Sequence, residues 1–166
     1  MARVYTRGGT LARVPVTGPL NHIDISVGYP ERSIPFYQAF FAALGYKRWK
    51  LDAPAWREPG ATRATWSIKC PDGSIFAIEV RPARAESRDR RYDRYEPGPH
   101  HLAFHADSPE TVDRVHQAVL AAGGEVLDPP IDYSGSAAYS EGYYAVFFAD
   151  PDGVKLEVAY IPQANP

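Results

Sequence analysis

The stretch HIDISVGYPERSIPFYQAFFAALG, residues 22–45, decides the fold because it recurs without a gap as HLAFHADSPETVDRVHQAVLAAGG at residues 101–124. Eight of the 24 aligned positions are identical, among them His22/His101 and Gly45/Gly124. Each copy continues through a Pro-Asp-Gly turn to a segment that carries one glutamate, Glu79 or Glu157. An internal repeat fixes the architecture before any local assignment, and the sequence predicts two copies of a unit of about 60 residues.

Each unit has the pattern of a strand, a helix and three further strands. Apolar and polar residues alternate along 22–27 and again along 101–106, which is typical of half-buried strands. Apolar residues at helical spacing follow, and each helix ends at glycine. The remaining strands are predicted at 46–51, 64–68 and 75–80 in the first unit and at 125–127, 143–148 and 154–160 in the second.

Prolines mark the start of both helices. Ser108 and Pro109 predict the N-cap and the first turn of the second helix. In the first helix Pro35 fits only if Ser33 is the N-cap, because proline has no backbone donor and is tolerated in the first turn alone.

These patterns predict an α+β fold in which two tandem βαβββ modules form a curved eight-stranded mixed sheet with the helices on its convex face. Residues 20–160 would form a single domain, with module 1 at about 20–81, a linker at 82–98 and module 2 at about 99–160. Residues 1–19 are expected to form a flexible N-terminal arm and 161–166 a C-terminal tail. The connection at 128–142 has the length of a lid or binding loop.

Composition narrows the function classes. A net charge of -2 and a pI near 6.2 give no basic surface for DNA or RNA. The single cysteine, Cys70, forms no internal disulfide and suits the reducing cytoplasm, which is the predicted location. No apolar run approaches the roughly 20 residues that span a bilayer. Neither a nucleic acid nor a membrane is therefore an expected partner.

Four candidate metal ligands share the polar face of the predicted sheet: His22, Glu79, His101 and Glu157. Imidazole and carboxylate ligands suit Zn, Ni, Co, Mn or Fe(II), and two glutamates balance the charge of a divalent cation. Each residue alone is equally well explained as a polar side chain on a half-exposed strand, and Glu79 as the partner of Arg81 or Arg63. Four at equivalent positions of a repeat favour the metal site.

Further side chains are candidates for the same cavity. His105 lies two residues beyond His101 on the same face and is a candidate second-shell or acid/base residue, whereas His100 should point to the other face. Several aromatic residues either line the mouth of the cavity or belong to the core, and the sequence leaves both open: Trp66, Tyr133, Tyr139, Tyr143 and Tyr144.

The chain resembles the vicinal oxygen chelate superfamily, which includes glyoxalase I, methylmalonyl-CoA epimerase, extradiol dioxygenases, fosfomycin-resistance transferases and bleomycin-resistance proteins. The resemblance covers roughly residues 20–160. It is carried by Leu20-Asn21-His22-Ile23, by Glu31-Arg32-Ser33 with Phe36-Tyr37 and Leu44-Gly45-Tyr46, by His100-His101-Leu102-Ala103-Phe104, and by Asp150-Pro151-Asp152-Gly153 leading to Leu156-Glu157.

The resemblance implies three functions. In the glyoxalase-like branch all four residues would bind the metal, and the enzyme would stabilise an enolate as an isomerase, epimerase or lyase, with Glu157 or Glu79 moving the proton. In the extradiol branch His22, His101 and Glu157 would bind Fe(II), with His105 as acid/base and a catechol-like substrate. The third is a non-catalytic protein that binds an antibiotic or another small molecule. The family also implies a homodimer, with the site completed within one chain or across two.

Overall fold

The structure is a computed structural model, and it describes residues 20–49 and 62–162. The expected arm at 1–19, the end of the strand expected at 46–51 and the last four residues of the expected tail lie outside the described residues.

The described residues of module 1 form a four-stranded sheet and one helix. Its elements are β1 (His22–Val27), α1 (Pro30–Ala43), β2 (Lys47–Arg48), β3 (Ala64–Lys69) and β4 (Ile75–Pro82). The strand order is β1-β4-β3-β2, with β1 parallel to β4 and the other neighbours antiparallel. The parallel pair follows from the helical crossover, because a crossover returns the chain to the same end of the sheet.

Module 2 repeats this topology. Its elements are β5 (Leu102–Ala106), α2 (Pro109–Ala121), β6 (Glu125–Asp132), β7 (Tyr144–Ala149) and β8 (Lys155–Tyr160). The strand order is β5-β8-β7-β6, and β5 is parallel to β8. A short 3₁₀ helix at Ala85–Ser87 lies in the linker between the modules. The βαβββ repeat predicted from the sequence is therefore confirmed.

The prediction of one continuous eight-stranded sheet is wrong. Within the described residues β1 pairs only with β4 and β5 only with β8, so the structure has two four-stranded sheets. The modules are held together by side chains instead of backbone hydrogen bonds. Alternation along a strand predicts which face is buried, but it does not indicate whether two sheet edges pair.

A shared aromatic core joins the modules. The Phe40 ring of α1 meets Phe104 of β5 edge to face at 5.3 Å between centroids, and Phe148 of β7 at 5.1 Å. Phe36, also on α1, lies 6.2 Å from Phe148. Phe36, Phe40 and Phe148 are almost completely buried, and burial of each such side chain contributes about 1.5–3 kcal/mol relative to exposure. Neither module buries its apolar face alone.

A cluster of buried hydrogen bonds between the two modules lies beside this core. The Tyr37 hydroxyl donates to Asp150 Oδ2 at 2.7 Å, and the Ser33 hydroxyl donates to Asp152 Oδ2 at 2.9 Å. Arg32 donates to Asp152 Oδ1 at 2.7 Å. The Asp-Pro-Asp-Gly turn of module 2 therefore binds the first two turns of α1, which gives this motif a structural role.

The start of α2 was predicted correctly, whereas the start of α1 was not. The Ser108 hydroxyl accepts from the backbone N–H of Thr111, which confirms it as the N-cap of α2. The helix α1 begins at Pro30 after Tyr29, so Ser33 lies inside the helix and is not its N-cap. Pro35 occupies an exposed helical position. The bond from Ser33 to Asp152 explains the difference, because a contact 119 residues away leaves no local signal.

The long connection in module 2 is shorter than predicted. The strand β6 extends to Asp132 through two register shifts, and the Tyr133 N–H donates to the Tyr143 carbonyl at 2.8 Å. Residues 128–132 are thus paired strand, and the loop proper is confined to 133–142. Neither α1 nor α2 is long and apolar enough to cross a membrane, and no other helix of the described residues is.

Candidate functional site

The second half-site consists of His101 and Glu157. The His101 Nε2 atom lies 3.0 Å from Glu157 Oε2, and the Glu157 side chain is only 4% exposed. Glu157 is held on β8 opposite Ala103 of β5, which places its side chain on the face away from the helices. The Tyr143 hydroxyl donates to the other carboxylate oxygen, Oε1. The buried carboxylate therefore has a partner on each oxygen.

Two neighbours extend this half-site. His100 Nδ1 lies 2.8 Å from His101 Nδ1, so His100 contacts His101 instead of pointing to the opposite face. Desolvation, with the adjacent His101, holds the pKa of His100 below its usual value. Burial, followed by the hydrogen bond to Glu157, raises the pKa of Tyr143 far above its usual value. Tyr143 thus remains a neutral donor to Glu157 at physiological pH.

Three tyrosines cover the sheet beside Glu157. The ring of Tyr139 lies 4.6 Å from that of Tyr143 and 5.0 Å from that of Tyr133, between centroids. Tyr133 also meets Phe147 edge to face at 5.8 Å. These contacts place the three tyrosines on the Glu157 face of the sheet. Of the two interpretations left open by the sequence, this agrees with a position beside the candidate site and not with a position in the main core. Trp66 belongs to the core instead, because it is completely buried, and Tyr144 packs against the core and donates to Asp113.

The first half-site consists of His22 and Glu79, which line one cavity of about 320 Å³. Glu79 lies on β4 opposite Asp24 of β1, the same register that Glu157 has with Ala103. Its Oε1 accepts from Arg63 at 3.3 Å and its Oε2 from the Thr65 hydroxyl at 3.1 Å. His22 Nδ1 contacts Asn21 Oδ1 at 2.9 Å.

The donor types fit a divalent metal, but the chain separates them into two pairs. Two ligands of one ion lie roughly 3 Å apart, since metal–ligand bonds are about 2.0–2.2 Å long. The His101–Glu157 distance matches this separation. Across residues 20–49 and 62–162, however, no three His, Cys, Asp or Glu side chains converge closely enough to hold an ion. Each half-site therefore offers part of a coordination shell.

The repeat has diverged around its two glutamates. Thr65 faces Glu79 across the strand pair, and Phe147 occupies the equivalent position facing Glu157. Three further polar residues of module 1 have alanine at the equivalent position of module 2, in the pairs Asp24/Ala103, Arg63/Ala145 and Arg81/Ala159. The first half-site is therefore surrounded by charged and polar groups, and the second by apolar and aromatic ones.

Sequence reasoning placed some site residues and missed others. His105 is exposed on the face of β5 that carries Ala103, as the alternation predicts, and its acid/base role stays a prediction. Nothing in the sequence indicated that Tyr143 would bind Glu157, since the two are joined only by cross-strand geometry. The choice of Arg63 over Arg81 as the partner of Glu79 was also open; Arg81 pairs with Asp24 at 3.0 Å.

Comparison with known proteins decides the family. A sequence model of the Glyoxalase/Bleomycin resistance protein/Dioxygenase superfamily matches residues 19–158. The chain belongs to this superfamily. The matched range spans both modules, so the repeat, the shared core and both half-sites all fall within the family domain.

Individual relatives agree with this assignment. The chain is 30% identical over 141 residues to the uncharacterized protein YqjT of Bacillus subtilis (strain 168), covering 84% of this chain and 96% of that protein. A protein from Bacillus halodurans, known from its crystal structure, is 26% identical to this chain. The two structures have a TM-score of 0.63, and the match covers 87% of this chain and 97% of the Bacillus halodurans chain. A glyoxalase/dioxygenase from Nostoc punctiforme shares the fold, with a TM-score of 0.60 at 22% identity. The match covers 93% of this chain and 100% of the Nostoc chain.

Proposed function

We propose that the protein is a divalent-metal-dependent enzyme of the glyoxalase-like type. It would bind a small molecule through two adjacent oxygens and act as an isomerase, epimerase or lyase. The ligands would be His22, Glu79, His101 and Glu157. The observation that carries the proposal is the 3.0 Å contact of His101 with Glu157, whose register on the sheet is repeated by Glu79.

The chemistry requires a base that removes the proton from the carbon next to a carbonyl and leaves the electron pair as an enolate. When bound, the metal would act as a Lewis acid that stabilises negative charge on the substrate oxygens. Glu157 would accept the proton from carbon, because its carboxylate is fixed between His101 and the Tyr143 hydroxyl and is shielded from water. Tyr143 would keep the carboxylate oriented through its donated hydrogen bond.

Because one chain separates the half-sites, we expect a homodimer in which the first half-site of one chain meets the second half-site of its partner. Coexpression of His22→Ala and His101→Ala chains tests this arrangement. In a mixed dimer one site would carry both substitutions and the other would be intact, so random pairing should restore metal to about a quarter of the sites. Two sites closed within single chains would restore none.

Metal analysis of the purified protein is the primary test. We expect close to one equivalent of Zn, Ni, Co, Mn or Fe per chain in the wild type and a large loss in His101→Ala. Turnover is then measured as exchange of the α-proton in D₂O across a panel of compounds with adjacent oxygens. Glu157→Gln should abolish exchange with the fold retained, because glutamine can still accept from Tyr143. Exchange near the wild-type rate would refute the assignment of Glu157.

If no divalent ion binds even when added in excess, the metal proposal fails and small-molecule sequestration is favoured. Such a result would leave the cavity of about 320 Å³ beside His22 and Glu79 as the candidate binding site for the small molecule.

The contacts of Glu79 favour a second candidate, an Fe(II) extradiol-type dioxygenase. Both oxygens of Glu79 are already engaged, by Arg63 and Thr65. If Glu79 stays with these partners, His22, His101 and Glu157 form a 2-His-1-carboxylate set, which leaves positions for a catecholate and O₂. His105 would be the acid/base residue, on the exposed face of β5.

Glu79→Gln separates the two candidates. In the four-ligand enzyme this variant should bind metal at least tenfold more weakly, because a neutral amide replaces a negatively charged carboxylate ligand. In the three-ligand enzyme the affinity should be nearly unchanged. Oxygen uptake by the Fe(II)-loaded protein with a panel of catechols is the positive test of the dioxygenase, with His105→Ala as the matched acid/base variant.

A further inference from the structure

Module 1 carries a large cavity with an excess of positive charge. Its volume is about 840 Å³, and it lies where β1 and β4 end and the linker begins. Among the described residues, four arginines and two acidic residues line it: Arg63, Arg81, Arg84 and Arg88 against Asp24 and Glu31. The whole chain, in contrast, has a net charge of -2. A cleft lined by one sign of charge attracts ligands of the opposite sign.

The two linker arginines are available to a ligand. Arg81 pairs with Asp24 and Arg63 with Glu79, so these two are partly neutralised. Arg84 and Arg88 have no carboxylate partner among the described residues, and both are exposed. A guanidinium presents a planar set of donors that matches a carboxylate or a phosphate.

Arg63 adds a buried donor. Its side chain is 13% exposed, and its Nε atom is buried without a hydrogen-bond acceptor in the described part of the chain. A buried donor without an acceptor costs roughly 1–3 kcal/mol, and most such groups in folded proteins have a partner. An anion in the cavity could supply this acceptor while the terminal nitrogen stays with Glu79.

The linker wall of the cavity is anchored to the sheet. The Ala83 N–H donates to the Val27 carbonyl at 2.8 Å, which continues the pairing beyond the end of β4. Gly28 allows the linker to approach closely, since a Cβ atom there would lie 2.2 Å from the Arg88 carbonyl oxygen. The Tyr29 hydroxyl donates to Asp89 at 2.5 Å. The backbone that carries Arg88 is therefore fixed relative to β1.

We propose that this arginine cavity binds the anionic group of a small molecule, a carboxylate or a phosphate. Arg84 and Arg88 would contact the anion from the linker side and Arg63 from the sheet side. The cavity adjoins the first half-site, because Asp24, Arg63 and Arg81 line both. The substrate of the metal-dependent enzyme would then be acidic, a step that rests on the proposed function, whereas anion binding itself does not.

The test uses full-length protein freed of metal with a chelator that is then removed. Isothermal titration and backbone NMR shifts are recorded with inorganic phosphate and, separately, with succinate, which distinguishes the two anion classes. The variants are Arg84→Gln, Arg88→Gln and the double variant. Arg90→Gln is the matched control, because Arg90 is exposed, lies on the same linker and does not line the cavity.

We expect one equivalent of at least one anion to bind with shifts centred on β1, β4 and residues 83–88. Each cavity variant should bind the anion about tenfold more weakly, because it loses one charge-assisted hydrogen bond. The control variant Arg90→Gln should bind the anion as the wild type does. No saturable binding of either anion, or an equal loss in Arg90→Gln, would overturn the proposal. Because the protein is metal-free, failure here leaves the metal analysis untouched, and failure of metal binding leaves this titration untouched.

Discussion

Asp152→Ala should destabilise the protein strongly even though Asp152 lies in a turn, because this residue fixes α1 of one module to the other. The Asp152 side chain is 8% exposed, and it accepts from the completely buried hydroxyl of Ser33 and from Arg32. The substitution leaves the Ser33 donor buried without an acceptor.

The expected loss in the free energy of unfolding follows from the two contacts that Asp152 makes with Ser33 and Arg32. A hydrogen bond to a buried charged acceptor contributes about 1.5–3 kcal/mol. The Arg32 side chain is 51% exposed, so its ion pair is screened by solvent and adds at most about 1 kcal/mol. We therefore expect a loss of about 3 kcal/mol in the free energy of unfolding.

Urea unfolding of the wild type, Asp152→Ala, Ser33→Ala and the double variant forms a double-mutant cycle. The coupling free energy between the two residues should be about 1.5–2 kcal/mol, because each single variant breaks the same bond. Asp93→Ala is the control, since Asp93 is exposed and accepts from the backbone of Tyr95 in its own turn. A coupling below about 0.5 kcal/mol would refute the reasoning, because it is within the scatter of independent sites.

Three further outcomes are expected. Tyr143→Phe should weaken metal binding about tenfold, because Glu157 loses the donor that orients it; an unchanged affinity would contradict this role. Burial raises the pKa of Tyr37 well above its usual value near 10, so the stability that this hydroxyl contributes is present below pH 10 and lost at higher pH. Urea unfolding at pH 8 and pH 11 should show the wild type losing more stability than Tyr37→Phe, and parallel losses would exclude this residue as the cause. Gly28→Ala should weaken anion binding and cost about 1–3 kcal/mol in unfolding free energy, because its methyl group meets the Arg88 carbonyl; retained stability and affinity would show that the linker is free to move.

The repeat was enough to predict the modules, because the periodicity of a strand or helix is a local property. The strand at 22–27 was predicted with the bounds that β1 has, and Ser108 was identified as the N-cap of α2. The start of α1 was not predictable, since Ser33 is used by a residue from the other module. The pairing of sheet edges was also beyond the sequence, because the modules meet through aromatic rings that any sheet arrangement would bury.

The candidate site shows the same division between local and long-range information. Alternation placed a histidine and a glutamate on one face in each module, and the equal registers of Glu79 and Glu157 agree with that placement. Alternation could not indicate which donors would surround each glutamate. Arg63 reaches Glu79 across a strand pair, and Tyr143 reaches Glu157 from the position just before β7. Convergence of the two half-sites remains a prediction.

The different surroundings of the two glutamates bear on which of them moves a proton. To accept a proton from a substrate, Glu79 would have to leave an ion pair with Arg63 that is mostly buried. Glu157 would only rearrange contacts with a hydroxyl and an imidazole. Breaking the buried pair of Glu79 would leave the Arg63 guanidinium, which is always charged, without its carboxylate partner, and this is strongly destabilising. Ala145 occupies the position in module 2 that is equivalent to Arg63, so Glu157 has no such ion pair to leave, and this favours Glu157 as the base.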